Sequence, residues 1–218
     1  MTAPVAPRGA GWVLVALGLV LVGGVALALR SAGALGFFIA GIAAFHLLEF
    51  VSVALWRREQ LSMASFAFSG RAYFVAIGLG LAEYGVRSSL VGPFEGVANV
   101  LQYVGIGLML VGGVTRIWAM RTAGRFFNHF VQSELGEEHQ LVEGGPYRWL
   151  RHPSYFGFYW FSIGTQLLLA NPLTLLLYFI ALGAFFSRRI AVEEAALERR
   201  FGDAYCRYRD ARSLGFPA

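Results

Sequence analysis

Residues 151–189 read RHPSYFGFYWFSIGTQLLLANPLTLLLYFIALGAFFSRR. Two apolar arms, Tyr155 to Ala170 and Leu173 to Phe186, flank the pair Asn171-Pro172, a dipeptide that favours chain reversal. Each arm has about 14–16 residues, short of the roughly 20 that cross a bilayer comfortably. The stretch therefore predicts a tight helical hairpin with its turn at or near the far side of a membrane. Pro153 suits the first turn of the leading arm, where its missing N–H is not needed. The remaining amides of that turn point at whatever precedes it and favour anions. Arg151, His152, Ser154 and Tyr155 stand at this junction and predict a polar site facing the membrane surface.

Working outward, the whole chain has the same character. Of its 218 residues 57% are hydrophobic and 14% charged, against roughly 25% charged in soluble domains. The class is all-α, a polytopic integral membrane protein. Residues 1–10 read as a tail. Apolar runs at Trp12–Leu29, Leu35–Trp56, Ala72–Val86 and Val97–Trp118 add four spans to the hairpin, about six in all. Small residues at Ala32-Gly33-Ala34 would also suit cleavage of a signal peptide. The length of the first run, and the second that follows at once, favour a retained span. Gly105, Gly107, Gly112 and Gly113 would let neighbouring helices approach closely. Basic residues gather at the 57–71 connector, at Arg116, Arg121 and Arg125, and at Arg188-Arg189, with only Arg30 and Arg87 in the opposite loops. By the positive-inside rule the termini, the connector and the 120–153 loop face the cytoplasm.

Several kinds of chemistry drop out. Cys206 is the sole cysteine, which excludes an intrachain disulfide and a Cys-rich metal site. His129, His139 and His152 are spaced by ten and thirteen residues, which matches no helical ligand pair, so no metal is expected. No P-loop, GxSxG or strand-borne GxGxxG is present. The net charge of +5 reads as membrane flanks beside an anionic leaflet, not as a nucleic-acid surface.

What remains is a polar pocket in two parts. One is Gln132, His139, Tyr147 and Arg151 to Tyr155. The other lies on a C-terminal juxtamembrane helix over 188–208, where Ile190, Leu197 and Phe201 form an apolar stripe. Glu193 falls inside that stripe and Arg189 precedes it by one turn. A charge pair on a buried face is costly unless the partners meet each other or a ligand. Taken singly, His152 reads as a structural histidine, Tyr147 and Tyr155 as interfacial aromatics, and Arg189–Glu193 as a surface pair. These residues establish a polar site and leave its reaction open. His46 and Glu49, at i and i+3 in the second span, read as a buried interhelical hydrogen-bond pair, and Glu83 likewise.

A longer pattern surrounds this site. It runs through Thr122-Ala123-Gly124, Phe127-Asn128-His129, Val131-Gln132, His139-Gln140-Leu141-Val142, Gly145-Pro146-Tyr147 and Arg151 to Tyr155 with Gly157. It continues through Gly164-Thr165-Gln166, Asn171-Pro172, Phe185-Phe186, Arg189, Glu193-Glu194, Phe201-Gly202, Tyr205 and Gly215-Phe216-Pro217. In this the sequence resembles the isoprenylcysteine carboxyl methyltransferases, with a weaker match at Phe45-His46, Glu49 and Leu61-Ser62-Met63. The His-Pro-x-Tyr-x-Gly core with a Glu-Glu helix is shared with phospholipid N-methyltransferases and, more loosely, with NADPH-dependent sterol reductases. A non-enzymatic membrane scaffold is the remaining alternative. The Gly-Thr-Gln, Asn-Pro and His-x-Leu-Val pieces favour the prenylcysteine enzymes.

The resemblance implies methyl transfer from S-adenosyl-L-methionine to the C-terminal carboxylate of a prenylated cysteine, in proteins processed at a CaaX terminus. It implies cofactor contacts at Gln132, His139, Gln140, Leu141, Val142, Tyr147, His152, Pro153, Ser154, Tyr155 and Glu193. Arg189 matches a substrate-binding position, and Arg189 with Glu193 would be the catalytic pair. The partners implied are prenylated proteins and the lipid bilayer, with no nucleic acid and no metal. The location would be the endoplasmic reticulum membrane in a eukaryote or the plasma membrane in a bacterium, with the site facing the cytosol. Residues 1–119 would then carry about four spans, and 120–218 the catalytic region: cofactor loop, hairpin 154–187 and C-terminal helix. The family's acidic run after Arg189 is reduced here to Ile190-Ala191-Val192 before two glutamates, which leaves Glu194 as an alternative to Glu193.

Overall fold

In a bilayer every backbone amide must find its partner within the chain, and the apolar runs do so as helices. The computed structural model describes residues 9–31, 33–68, 70–90, 97–127, 136 and 138–217. The helices are α1 (Ala10–Ser31), α2 (Ala34–Trp56), α3 (Arg71–Leu90), α4 (Val97–Ala123), α5 (Pro153–Leu168), α6 (Pro172–Phe201) and α7 (Asp203–Asp210). Tight 3-10 turns occupy Arg58–Gln60, Met63–Phe66, Gly124–Phe126 and Gly145–Arg148. By length and composition α1, α2, α3, α4 and α6 can each cross a membrane. Helix α5, with 16 residues, is only about 24 Å long and depends on its neighbours.

The hairpin forms as expected, with α5 and α6 joined at Leu169–Asn171. Its second arm does not stop at Phe186. Helix α6 continues unbroken for 30 residues, about 45 Å, so the expected juxtamembrane helix is its distal half. Nothing between Phe186 and Phe201 breaks a helix. Gly202 does, at φ 53°, a left-handed conformation that a side chain would strain. Only the short α7 follows it. Arg189 and Glu193 therefore ride on the same rod as the membrane arm.

The far end of the hairpin is held by α3. Glu83 accepts the backbone N–H groups of Leu173 (2.8 Å) and Thr174 (2.7 Å) and the Thr174 hydroxyl (2.7 Å). A carboxylate there satisfies amides that the first turn of α6 leaves open and complements its positive end. One turn on, Arg87 donates to the Leu169 carbonyl at 2.6 Å.

Helices α4 and α5 pack through glycine. A Cβ on Gly112 would stand 2.5 Å from the Gly157 carbonyl oxygen, and one on Gly105 2.7 Å from that of Gly164. Gly107 and Gly113 take no part, since Gly107 faces open space and Gly113 meets only the Phe161 ring. The tight spacing brings a buried cation into range of three helices. Arg116 on α4, expected as a basic flank, is 6% exposed, and Glu49 on α2 is fully buried. Arg116 pairs with Glu49 through both Nε and Nη2 (Nη2–Oε2 3.0 Å). Its Nη1 donates to the Ser154 hydroxyl (2.8 Å) and carbonyl (3.2 Å) at the start of α5. His46 and Glu49 are thus both interhelical, but not with each other. His46 instead meets the Phe66 carbonyl at 2.6 Å and the Tyr73 hydroxyl.

Arg116→Met is expected to lower stability by about 3–5 kcal/mol, because it leaves Glu49 charged and buried. Glu49→Met on that background should recover most of the loss. Thermal unfolding of the two variants in detergent micelles checks this.

Candidate active site

The site is assembled where α5 begins. Gly145, at φ 54°, lies so near α4 that a Cβ would stand 2.5 Å from the Thr122 hydroxyl. From α7 the Tyr208 hydroxyl donates to the carbonyls of Tyr147 (3.0 Å) and Leu150 (3.3 Å). The chain beyond α7 adds a short parallel bridge, Arg151 N–H to the Ser213 carbonyl at 2.9 Å and Ser213 N–H to the Trp149 carbonyl at 3.3 Å. Trp160 anchors that tail through the Gly215 carbonyl at 2.9 Å. Phe216 closes it against Tyr159, with ring centroids 5.0 Å apart. The 145–151 segment is therefore fixed from three directions before any ligand arrives.

Across from it stands the distal half of α6. Tyr155 donates its hydroxyl to Glu193 at 2.5 Å. His152, buried, lies 3.7 Å from Glu193 through Nδ1 and 3.1 Å from Glu194 through Nε2. Arg151 reaches the same Glu194 oxygen at 3.4 Å. The two glutamates thus part company. Glu194 is engaged by Arg151 and His152, while Glu193 faces an open cavity. The Tyr155 ring stacks on His152 on one side (centroids 5.4 Å, planes 8° apart) and on Phe186 (5.0 Å). The Arg189 guanidinium lies 5.6 Å from the Tyr155 ring centroid and 5.4 Å from that of Phe185.

Ten of the residues singled out from sequence for the site line this cavity: His139, Gln140, Leu141, Val142, Tyr147, Arg151, His152, Ser154, Tyr155 and Glu193. Pro153 and Arg189 do not line it; Pro153 starts α5 behind the wall, and Arg189 sits next to Tyr155, one turn from Glu193. Gln132 lies outside the described residues. Sequence reasoning missed Ala123, Phe126, Phe127, Leu197, Tyr205 and Tyr208 as lining groups. Tyr205 and Tyr208, at i and i+3 on one face of α7, carried a signal for this. Burial pushes the Tyr147 hydroxyl above the usual phenol range. It also pushes His139 below the ordinary imidazole value, with Glu193 opposing. Both rings are therefore uncharged at neutral pH and present hydrogen-bonding edges beside one carboxylate.

Residues 105–199 match the model of the isoprenylcysteine carboxyl methyltransferase family. The protein-S-isoprenylcysteine O-methyltransferase of Saccharomyces cerevisiae is 37% identical over 186 residues, 83% of this chain and 78% of that protein. This chain belongs to the isoprenylcysteine carboxyl methyltransferase family. The Schizosaccharomyces pombe protein-S-isoprenylcysteine O-methyltransferase is 38% identical over 198 residues, 84% of this chain and 83% of that one. A solved structure of a eukaryotic intramembrane Ras methyltransferase of this family superposes with a TM-score of 0.85 at 36% identity, over 92% of this chain and 73% of that one. Membership makes the chain a membrane methyltransferase, and the family's matched span takes in the α4–α5 glycine contact, the hairpin and both glutamates.

His139 yields a pH prediction. Its value in the folded protein lies below the unfolded 6.5, so the unfolded chain takes up the proton first. Stability should be level above about pH 7 and should fall as pH drops through the folded value. His139→Gln should flatten that acid limb, read as unfolding temperature between pH 5 and 8.

Proposed function

We propose that this protein transfers a methyl group from S-adenosyl-L-methionine to the C-terminal carboxylate of a prenylated cysteine, in proteins processed at a CaaX terminus. The observation that carries the reading is the placement of Tyr155, which touches both Glu193, facing the cavity, and Arg189, outside it. A site for a cationic donor and a site for an anionic acceptor thus meet at one ring. The cavity supplies one carboxylate, two uncharged hydrogen-bonding rings and several aromatic faces, a set that suits a cation bearing a purine. Glu193, His139, Tyr147, Tyr155 and the 140–142 segment would hold the donor, with Gln132 a further contact implied by the family resemblance. His152, Pro153 and Ser154 fix the α5 turn against it.

When bound, the donor supplies a sulfonium methyl group. The acceptor carboxylate is ionised at neutral pH, so no proton has to move: an oxygen–carbon bond forms, a sulfur–carbon bond breaks, and both charges vanish. The protein has no base chemistry to perform, and its contribution is alignment and electrostatics. Arg189 would hold the carboxylate by paired hydrogen bonds. The prenyl chain would reach it between the helices, from the apolar side. The Arg asymmetry supports a site facing the cytosol, at the endoplasmic reticulum membrane if the source is eukaryotic.

Purified protein given labelled S-adenosyl-L-methionine and N-acetyl-S-farnesylcysteine should yield a base-labile methyl ester; no ester would defeat the reading. Arg189→Ala should cut turnover of that acceptor roughly a hundredfold, as loss of a charge-assisted clamp does. Affinity for S-adenosyl-L-homocysteine should stay within a few-fold. Unchanged turnover would remove Arg189 from its role.

A further inference from the structure

The short turn after α2 grips the wall of the cavity. Arg57, expected as a basic marker of the span's exit, is 1% exposed. Its Nη1 donates to the Phe127 carbonyl at 3.1 Å and to the Gln60 side chain at 3.3 Å. Gln60 in turn donates from Nε2 to the Arg125 carbonyl at 3.3 Å. Two side chains of the 57–60 turn therefore hold alternate carbonyls, 125 and 127, where the chain leaves α4. Phe126 and Phe127 line the cavity. The Arg57 guanidinium also lies 4.6 Å from the Phe127 ring centroid, and that of Arg116 lies 5.8 Å from the same ring.

Arg57 is a poor contributor to stability for so buried a group. Among the described residues its Nε and Nη2 have no hydrogen-bond partner, and unmet buried donors cost free energy. Burial lowers it to about 10, which leaves it charged at neutral pH. Among the described residues only Nη1 makes hydrogen bonds, and one of these ends on the cavity wall, next to a ring on which the cation rests. A hydrophobic residue would fill the space at lower cost but would leave the Phe127 carbonyl without this donor.

We propose that the 57–60 turn is a latch on the donor cavity, with Arg57 and Gln60 acting as positioning residues that hold the 125–127 wall in its binding geometry. This rests on reading the cavity as the donor site. Neither Arg57 nor Gln60 lines the cavity, so their effect, exerted through the wall, should appear in donor affinity alone.

The test uses the full chain in detergent, with S-adenosyl-L-homocysteine binding measured by calorimetry beside steady-state kinetics with N-acetyl-S-farnesylcysteine. Arg57→Met should weaken binding roughly tenfold, the effect of one hydrogen bond from a charged group. Exposed Gln60→Ala, whose fold is not at risk, should weaken it about two- to threefold, and Arg57→Lys should recover part of the Met loss. Acceptor KM, kcat at saturating donor and the unfolding temperature of Gln60→Ala should stay near wild type. Unchanged donor affinity in Gln60→Ala and in any folded Arg57 variant would overturn the latch, as would donor and acceptor KM rising in step. Wild-type protein that fails to bind the probe would overturn the donor-cavity reading instead.

Discussion

Arg116 can reach Glu49 and Ser154 together only because α4 and α5 touch backbone to backbone. A side chain at Gly112 or Gly157 would drive the helices apart: a Cβ on Gly157 would stand 2.7 Å from the backbone nitrogen of Arg116. With the helices in contact, one guanidinium joins α2, α4 and the first turn of α5. A bidentate pair in a medium of low dielectric tolerates little change of distance or angle. The start of α5, where His152, Ser154 and Tyr155 stand, thereby takes its position from the interior of the bundle and not from a surface loop.

The second part of the site comes from a different device. Because α6 is one continuous helix, Glu193 and Arg189 keep a fixed offset of about 6 Å along its axis, and each contacts Tyr155 in its own way. Flexible loops would have to order both groups on binding, at a cost in entropy. A rod that is already packed against α5 and α3 has met that cost on folding. Such pre-ordering is what a reaction without a general base requires, since alignment is most of what the protein can offer.

Much of this was legible in the sequence. Hydropathy gave the spans, and Asn171-Pro172 marked the turn that the structure places between α5 and α6. Of the cofactor contacts that the family pattern implied, nine do line the cavity. What escaped were pairings across long separations. Glu49 and His46 share a helix, so a local reading couples them, while Glu49's actual partner lies 67 residues away. Arg116 and Arg57 sit at helix ends where a basic residue marks topology, and nothing local distinguishes a snorkelling arginine from one turned inward. The length of α6 was missed because the change from apolar to charged residues after Phe186 looks like an element boundary, although composition changes there and helical propensity does not.

The polar contacts inside the hairpin also bear on how the chain is built. Helix α5 is short and carries Ser162, Thr165 and Gln166 in its buried face. The Gln166 side-chain oxygen Oε1 is met by the Thr174 hydroxyl (2.8 Å) and the Asn171 side-chain amide (3.2 Å), which follow it in synthesis. Alone in lipid, α5 would expose these groups at a cost of several kcal/mol. It therefore gains a stable transmembrane position only once the beginning of α6 is beside it. The two helices must leave the insertion machinery as one unit, with the earlier α3, through Glu83 and Arg87, already waiting to receive their turn.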